Sequence, residues 1–298
     1  MVLGKEARKE RYFDLFRIWI LGSVSIENLL KLSREKVCTR TLLRQFDRFL
    51  DCPPKPRKLT NPKEIYLKCD GKYFGRWGCV LAYKEGSNII YWNFVDRENF
   101  FNYRNDFIKL NSLGFIVKGI TSDWHGSIVA AAKHLWGDQE SSGRGIPHQR
   151  CLVHTQRQCK TLLTKNPETD AGKNLLELVS LLNQIKSLDE RDIWLKWLER
   201  FEERYGELIR KRSYGENKHW WYTHKNLRRA FLTLKSTKEH LFLYLEYNNL
   251  SKDTNGIEAE FSHLKQKLGV HRGMTRERKA NFVRWYFYLK SIYPEYKN

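Results

Sequence analysis

No stretch of this 298-residue chain is apolar for long. The run Ile18-Trp19-Ile20-Leu21 stops at Gly22, far short of the roughly 20 residues that a membrane-spanning helix needs. No CxxC pair occurs, which argues against a zinc ribbon. The N-terminus mixes Lys5, Glu6, Arg8, Lys9 and Glu10, so no signal peptide is expected and the protein is expected in the cytoplasm. The six cysteines are then expected to be reduced thiols, not a disulfide frame. Internal repeats and low-complexity tracts are absent. Acidic residues are scarce beside basic ones, 34 against 54.

That imbalance gives a net charge of +20, a field that favours a polyanion. Nucleic acid is the expected partner, and it would hold the protein at the nucleoid. The basic residues are not confined to one amphipathic helix, which argues against a membrane surface. Hydrophobic content of 41% suffices for a core, and with aromatics at 14% and ten tryptophans some rings are expected to do more than fill space. The length suits one large domain with an insertion, or two to three smaller ones.

Residues 1–52 read as helices. Phe13, Leu15, Phe16, Trp19 and Ile20 form one stripe, and Ser25 is a candidate cap for a second helix. In a third helix, Thr39 to Leu50, the residues Leu42, Leu43, Phe46 and Leu50 share a face. Arg40, Arg44 and Arg48 share another at four-residue spacing. Short helix, turn, basic helix is the outline of a helix-turn-helix, so this arginine face is expected to contact DNA. Residues 53–63 are rich in proline and basic residues and read as a linker.

From Glu64 the period changes to two. Residues 64–70 read as a strand, with a turn at Gly71. Trp77 to Tyr83 and Ile89 to Val95 read as a hairpin around Glu85-Gly86-Ser87-Asn88. Asp96 is expected to cap a helix that ends at Gly114. A fourth strand, Phe115 to Thr121, a helix, Gly126 to Trp136, and a loop, Ser141 to Gly145, follow. A fifth strand is expected within Pro147 to His154. Three antiparallel strands, then alternating helix and strand, predict an α/β fold with a ribonuclease-H-like mixed sheet. Residues 64–154 would be the first part of that core. Residues 155–250 read as helical throughout, an all-α insertion with a capping box at Ser187-x-x-Glu190. Its stripe is Ile193, Trp194, Trp197, Leu198, Phe201, Tyr205 and Leu208. Residues 251–298 return to the core with a helix from Thr254 and a basic C-terminal tail.

Asp70 ends the first predicted strand and Asp123 the fourth. In a ribonuclease-H-like sheet these strands are neighbours, so the carboxylates would converge. Converging carboxylates raise one another's pKa unless a counter-charge is present. Two Mg2+ or Mn2+ ions, held by hard oxygen ligands, would remove that penalty and serve phosphodiester displacement. Glu258, on the late helix, would complete the ligand set. Glu260 competes for that role, but two residues on it points about 200° away.

The motifs Cys69-Asp70-Gly71, Thr121-Ser122-Asp123-Trp124-His125-Gly126, Gln149-Arg150-Cys151-Leu152-Val153-His154 and Thr254-Asn255-Gly256-Ile257-Glu258 resemble bacterial insertion-sequence transposases of the Mutator-like DDE superfamily. The resemblance covers about residues 64–290. It implies a metal-dependent DNA transposase that cleaves element ends and transfers a 3′-hydroxyl to target DNA. Asp70, Asp123 and Glu258 would then be the catalytic triad, and Cys151 and His154 would support it. By the same analogy, two copies would bind double-stranded DNA as a homodimer. That family often has glycine where this chain has Trp124.

Other signals are less specific. Cys151-x-x-His154 with Cys159 offers three zinc-type ligands but no fourth. Trp220 and Trp221, in a basic stretch, can stack on an unpaired base or pack in a helical core. Lys265, Lys267 and Arg272, with Lys160, Lys165, Arg228 and Arg229, are candidate phosphate contacts. Two alternatives stay open: a ribonuclease-H-like nuclease or resolvase, and a catalytically inactive DNA-binding protein derived from a transposase.

Overall fold

The computed structural model of the chain describes residues 4–33, 37–137, 145–216, 219–271 and 273–293. Three helices come first: α1 (Lys5–Leu21), α2 (Ile26–Ser33) and α3 (Thr39–Leu50). The strands β1 (Lys63–Tyr73), β2 (Cys79–Glu85) and β3 (Asn88–Val95) follow. Then come α4 (Phe100–Ser112), β4 (Phe115–Ser122), α5 (Gly126–Trp136) and β5 (His148–Arg150). Next are α6 (Leu152–Leu163), α7 (Asp170–Leu181), α8 (Leu188–Arg210), a short ribbon of β6 (Arg212–Tyr214) and β7 (Trp220–Tyr222), and α9 (Lys225–Lys235). Helices α10 (Asn255–Val270) and α11 (Arg276–Ile292) close the described chain. The five-stranded sheet has the order β3-β2-β1-β4-β5. It is mixed, since β2–β3 is antiparallel and β4–β5 parallel. The α/β class read from the sequence therefore holds.

The chain divides into two units. The first comprises Met1–Lys63, Asp70–Ile116 and Gly256–Asn298. Its core is aromatic and joins sequence-distant helices. Phe16 of α1 lies 5.4 Å from the Phe46 ring of α3 and 5.3 Å from the Trp285 ring of α11. Trp285 Nε1 donates to the Phe49 carbonyl at 2.8 Å, so its polar edge is satisfied inside the packing. Val80 and Ala82 of β2 meet Ile257, Phe261 and Leu264 of α10 in the same cluster. Alternation along β2 turns Tyr83 the other way, against Phe107 of α4.

The second unit comprises Glu64–Cys69 and Val117–Asn255. Its helical core gathers Leu175, Val179, Trp194, Leu198, Phe201, Phe231 and Leu234. Trp194 Nε1 donates to the Leu178 carbonyl at 2.9 Å. The Ser187 cap forms, with its Oγ accepting from Glu190 N at 3.2 Å. Glu190 Oε2 reaches back to Lys186 N at 2.6 Å.

Several expectations need correcting. β1 does not turn at Gly71 but runs to Tyr73. Glycine lets the strand pass close to neighbouring side chains there: a Cβ would sit 2.5 Å from the Glu98 carboxyl and 2.9 Å from the Tyr103 hydroxyl, which would have to shift. Asn99, not Asp96, caps α4, its side chain accepting from Asn102 N at 2.9 Å. The fifth strand covers only 148–150, and Cys151 is the N-cap of α6. The 155–250 stretch is not wholly helical, since the β6–β7 ribbon interrupts it. Ile193 and Trp197 of the α8 stripe are exposed, as is Leu43 of α3. Most of the Ser141 to Gly145 loop lies outside the described residues.

Candidate active site

In the first unit, Asp70 sits on β1 with 5% of its surface exposed. Its Oδ1 accepts from the backbone N of Gly71 at 2.9 Å. Glu258 lies in the first turn of α10 and is half-buried. The two residues, far apart in sequence, bring carboxylate oxygens within 4.8 Å of each other. Lys84, buried at 7% exposure on β2, donates to the Gly256 carbonyl at 3.1 Å. The β2–β3 register shifts between Tyr83 and Lys84, a bulge of the kind that re-aims a side chain. Glu260 does not compete for the site. Its Oε2 accepts from Lys290 Nζ of α11 at 2.6 Å, with the two side chains 14% and 7% exposed.

Also in this unit, Asp106 is buried on α4 and collects three donors. They are Tyr83 Oη at 2.8 Å, Asn93 Nδ2 at 2.8 Å and Tyr91 Oη at 3.3 Å. Burial outweighs these bonds and pushes its carboxyl up to about 6. Arg40, Arg44 and Arg48 all face solvent on α3. Lys265 is exposed on α10, whereas Lys267 is half-buried, its ammonium pushed down by burial and then by Lys290. Arg272 lies outside the described residues.

In the second unit, Asp123 follows the last residue of β4, half-buried, and its Oδ1 accepts from His125 N at 2.9 Å. Trp124 has φ of 72°, the left-handed region that favours glycine. The Trp124 ring lies 4.8 Å from that of His148 and 4.4 Å from that of His240. His148 is pushed down to about 3, chiefly by burial and then by His240 and Lys133. Its neutral ring pairs Nε2 with Ser122 Oγ at 2.8 Å. Ser122 Oγ in turn accepts from Trp124 N at 3.2 Å. This chain of bonds fixes the loop that carries Asp123.

Cys151 and His154 converge on Thr254. The buried Cys151 sulfur accepts from Thr254 N at 3.4 Å and Thr254 Oγ1 at 3.5 Å. His154 Nδ1 lies 3.4 Å from the same hydroxyl. Burial raises the Cys151 thiol pKa. Cys159 points elsewhere, to the Ala230 carbonyl at 3.8 Å, and burial pushes its thiol up to about 11. Among the described residues, Cys151, His154 and Cys159 form no three-ligand metal group. Arg150 is buried and binds the Thr233 carbonyl, Thr237 Oγ1 and Gln158 Oε1. Trp220 and Trp221 are on β7, 42% and 46% exposed, not in a helical core.

The structure therefore brings Asp70 and Glu258 together in one unit and gathers Cys151 and His154 around Thr254 in the other. Sequence reasoning missed Lys84, Asp106 and His148. Lys84 left one signal, a lysine at an inward position of the apolar run Cys79-Val80-Leu81-Ala82-Tyr83.

Residues 134–266, just under half of the chain, match the family model described as Transposase IS66 family. No curated protein matches the chain. The family match supports an insertion-sequence transposase, a DNA-processing enzyme. It does not support the Mutator-like placement that the motifs resemble. The matched segment contains Cys151, His154 and Glu258 but neither Asp70 nor Asp123. No helix of the described residues is long and apolar enough to cross a membrane.

Proposed function

We propose that this chain is a DDE transposase, with Asp70, Asp123 and Glu258 carrying metal-dependent DNA cleavage and 3′-hydroxyl strand transfer. The observation that carries this reading is the approach of the Asp70 and Glu258 carboxylates within 4.8 Å. A buried aspartate beside a second carboxylate is costly unless a cation is shared between them. Their donor set is hard oxygen, which fits Mg2+ or Mn2+. Asp70 and Glu258 would hold two such ions together with Asp123. Cys151 and His154 support the site by holding Thr254, four residues before Glu258. The sheet order β3-β2-β1-β4-β5, with β1 beside β4, supports a ribonuclease-H-like core.

When bound, the ions supply Lewis-acid stabilisation of the phosphodiester displacement and ease deprotonation of the attacking water or 3′-hydroxyl. The chain's own residues do the rest. Lys84 holds the first turn of α10 through the Gly256 carbonyl and so orients Glu258. Neutral His148, through Ser122, orients the Asp123 loop. The exposed arginine face of α3 contacts duplex DNA, with Lys265, Lys267 and Arg272 along the backbone of the element ends or target. Two copies act together as a homodimer on DNA.

The test is strand transfer on DNA fragments taken from the sequences that flank the coding region, in Mg2+. The expected result is joined product from wild type, falling roughly 100-fold or more in Asp70→Asn and Glu258→Gln. Hydrolysis without joining would indicate a nuclease instead. Joining unchanged in Asp70→Asn would remove the metal-site assignment.

A further inference from the structure

The β6–β7 ribbon carries an unusual surface for a two-stranded element. Its register sets Arg212 opposite Tyr222 and Tyr214 opposite Trp220, which puts these four on one face. The Arg212 guanidinium stands 4.1 Å over the Trp220 ring. That of Arg228, from α9, stands 4.0 Å over the Tyr222 ring. The rings are not core. Trp220 is 42% exposed and Tyr214 70%. Between residues 210 and 229 the sequence has seven lysines and arginines against one acid, Glu216.

We propose that this face binds unpaired DNA, with bases stacked on Trp220 and Tyr222 and the phosphates met by Arg212 and Arg228. The proposal relies on the transposase reading only for the choice of DNA as the polyanion. A planar guanidinium already occupies the position over each ring that a base would take. Stacking a base on an aromatic ring is worth more than an exposed cation–π contact. Exchange is therefore favourable, and it frees both arginines for backbone phosphates without moving the ribbon. An unpaired strand is the fitting occupant because duplex bases keep their faces stacked inside the helix. The positive field suits the strand's charge and opposes binding of a basic protein surface.

The test uses the full chain in EDTA, with fluorescence anisotropy of a labelled oligothymidylate and of a blunt duplex of the same length. Trp220→Ala is expected to weaken single-strand binding about tenfold and leave duplex binding within about twofold. Trp220→Phe is expected to restore most of the loss, and Arg212→Ala to reduce the salt dependence of single-strand binding. Circular dichroism and the melting temperature check each variant's fold. Unchanged single-strand affinity in a folded Trp220→Ala, or equal losses on both DNAs, would overturn the proposal. Because no metal is present, this experiment is independent of the catalytic triad. Failed strand transfer with intact stacking would remove only the catalytic reading.

Discussion

Glu258 and Glu260 stand two positions apart on α10 and have different surroundings. Glu260 is held by Lys290 inside the packing of α10 on α11, whereas Glu258 approaches Asp70. Glu260→Gln should therefore cost stability, about 3–5 kcal/mol for breaking a buried pair, while sparing divalent-metal affinity. Glu258→Gln should do the reverse, and urea melts beside metal titrations check both. Asp106 gives a separate test. Its carboxyl rises from an ordinary value of 3.8 to about 6 in the fold. The native state thus binds this proton more tightly than the unfolded chain. The contribution is fully present below pH 4 and is lost as pH rises through 6. Asp106→Asn should gain on wild type by about 3 kcal/mol between those limits, measured as the difference in unfolding free energy at pH 4 and pH 7.

At the scale of elements, what was legible in the sequence was what local chemistry decides. Ser25 and Ser187 read as caps and act as caps, and the Gly126–Trp136 helix falls where its small residues predict. Ser187→Ala should lower stability by about 1 kcal/mol, measured by urea denaturation. What was not legible depended on distant contacts. Gly71 looks like a turn residue until Glu98 and Tyr103 crowd it. Cys151 reads as part of the strand expected within Pro147 to His154, whereas it caps α6 and Thr254 binds its sulfur. Trp220 and Trp221 continue a helical-looking stretch, and pairing with Arg212–Tyr214 makes them a strand. For the site, Asp70 and Glu258 are both legible in the sequence, Asp70 as a carboxylate at the end of a predicted strand and Glu258 through the motif it closes. Lys84 is not, because its burial and its bond to the Gly256 carbonyl follow from the bulge and from a helix far away in sequence.

For the whole molecule, the charge of +20 sets the first-order behaviour with DNA. Affinity should fall steeply with salt, and replacing Arg40, Arg44 and Arg48 by Gln should lower the slope of log K against log salt by roughly 2 to 3. Fluorescence anisotropy with duplex DNA over a series of KCl concentrations checks this. Beyond DNA binding, the proposed chemistry requires a divalent ion held by Asp70 and Glu258. Mn2+ binding followed by electron paramagnetic resonance tests it without knowledge of the DNA sequence. Wild type is expected to bind Mn2+, with binding weakened at least roughly tenfold in Asp70→Asn and in Glu258→Gln and circular dichroism unchanged. Equal Mn2+ affinity in wild type and in the folded Asp70→Asn/Glu258→Gln double variant would contradict it.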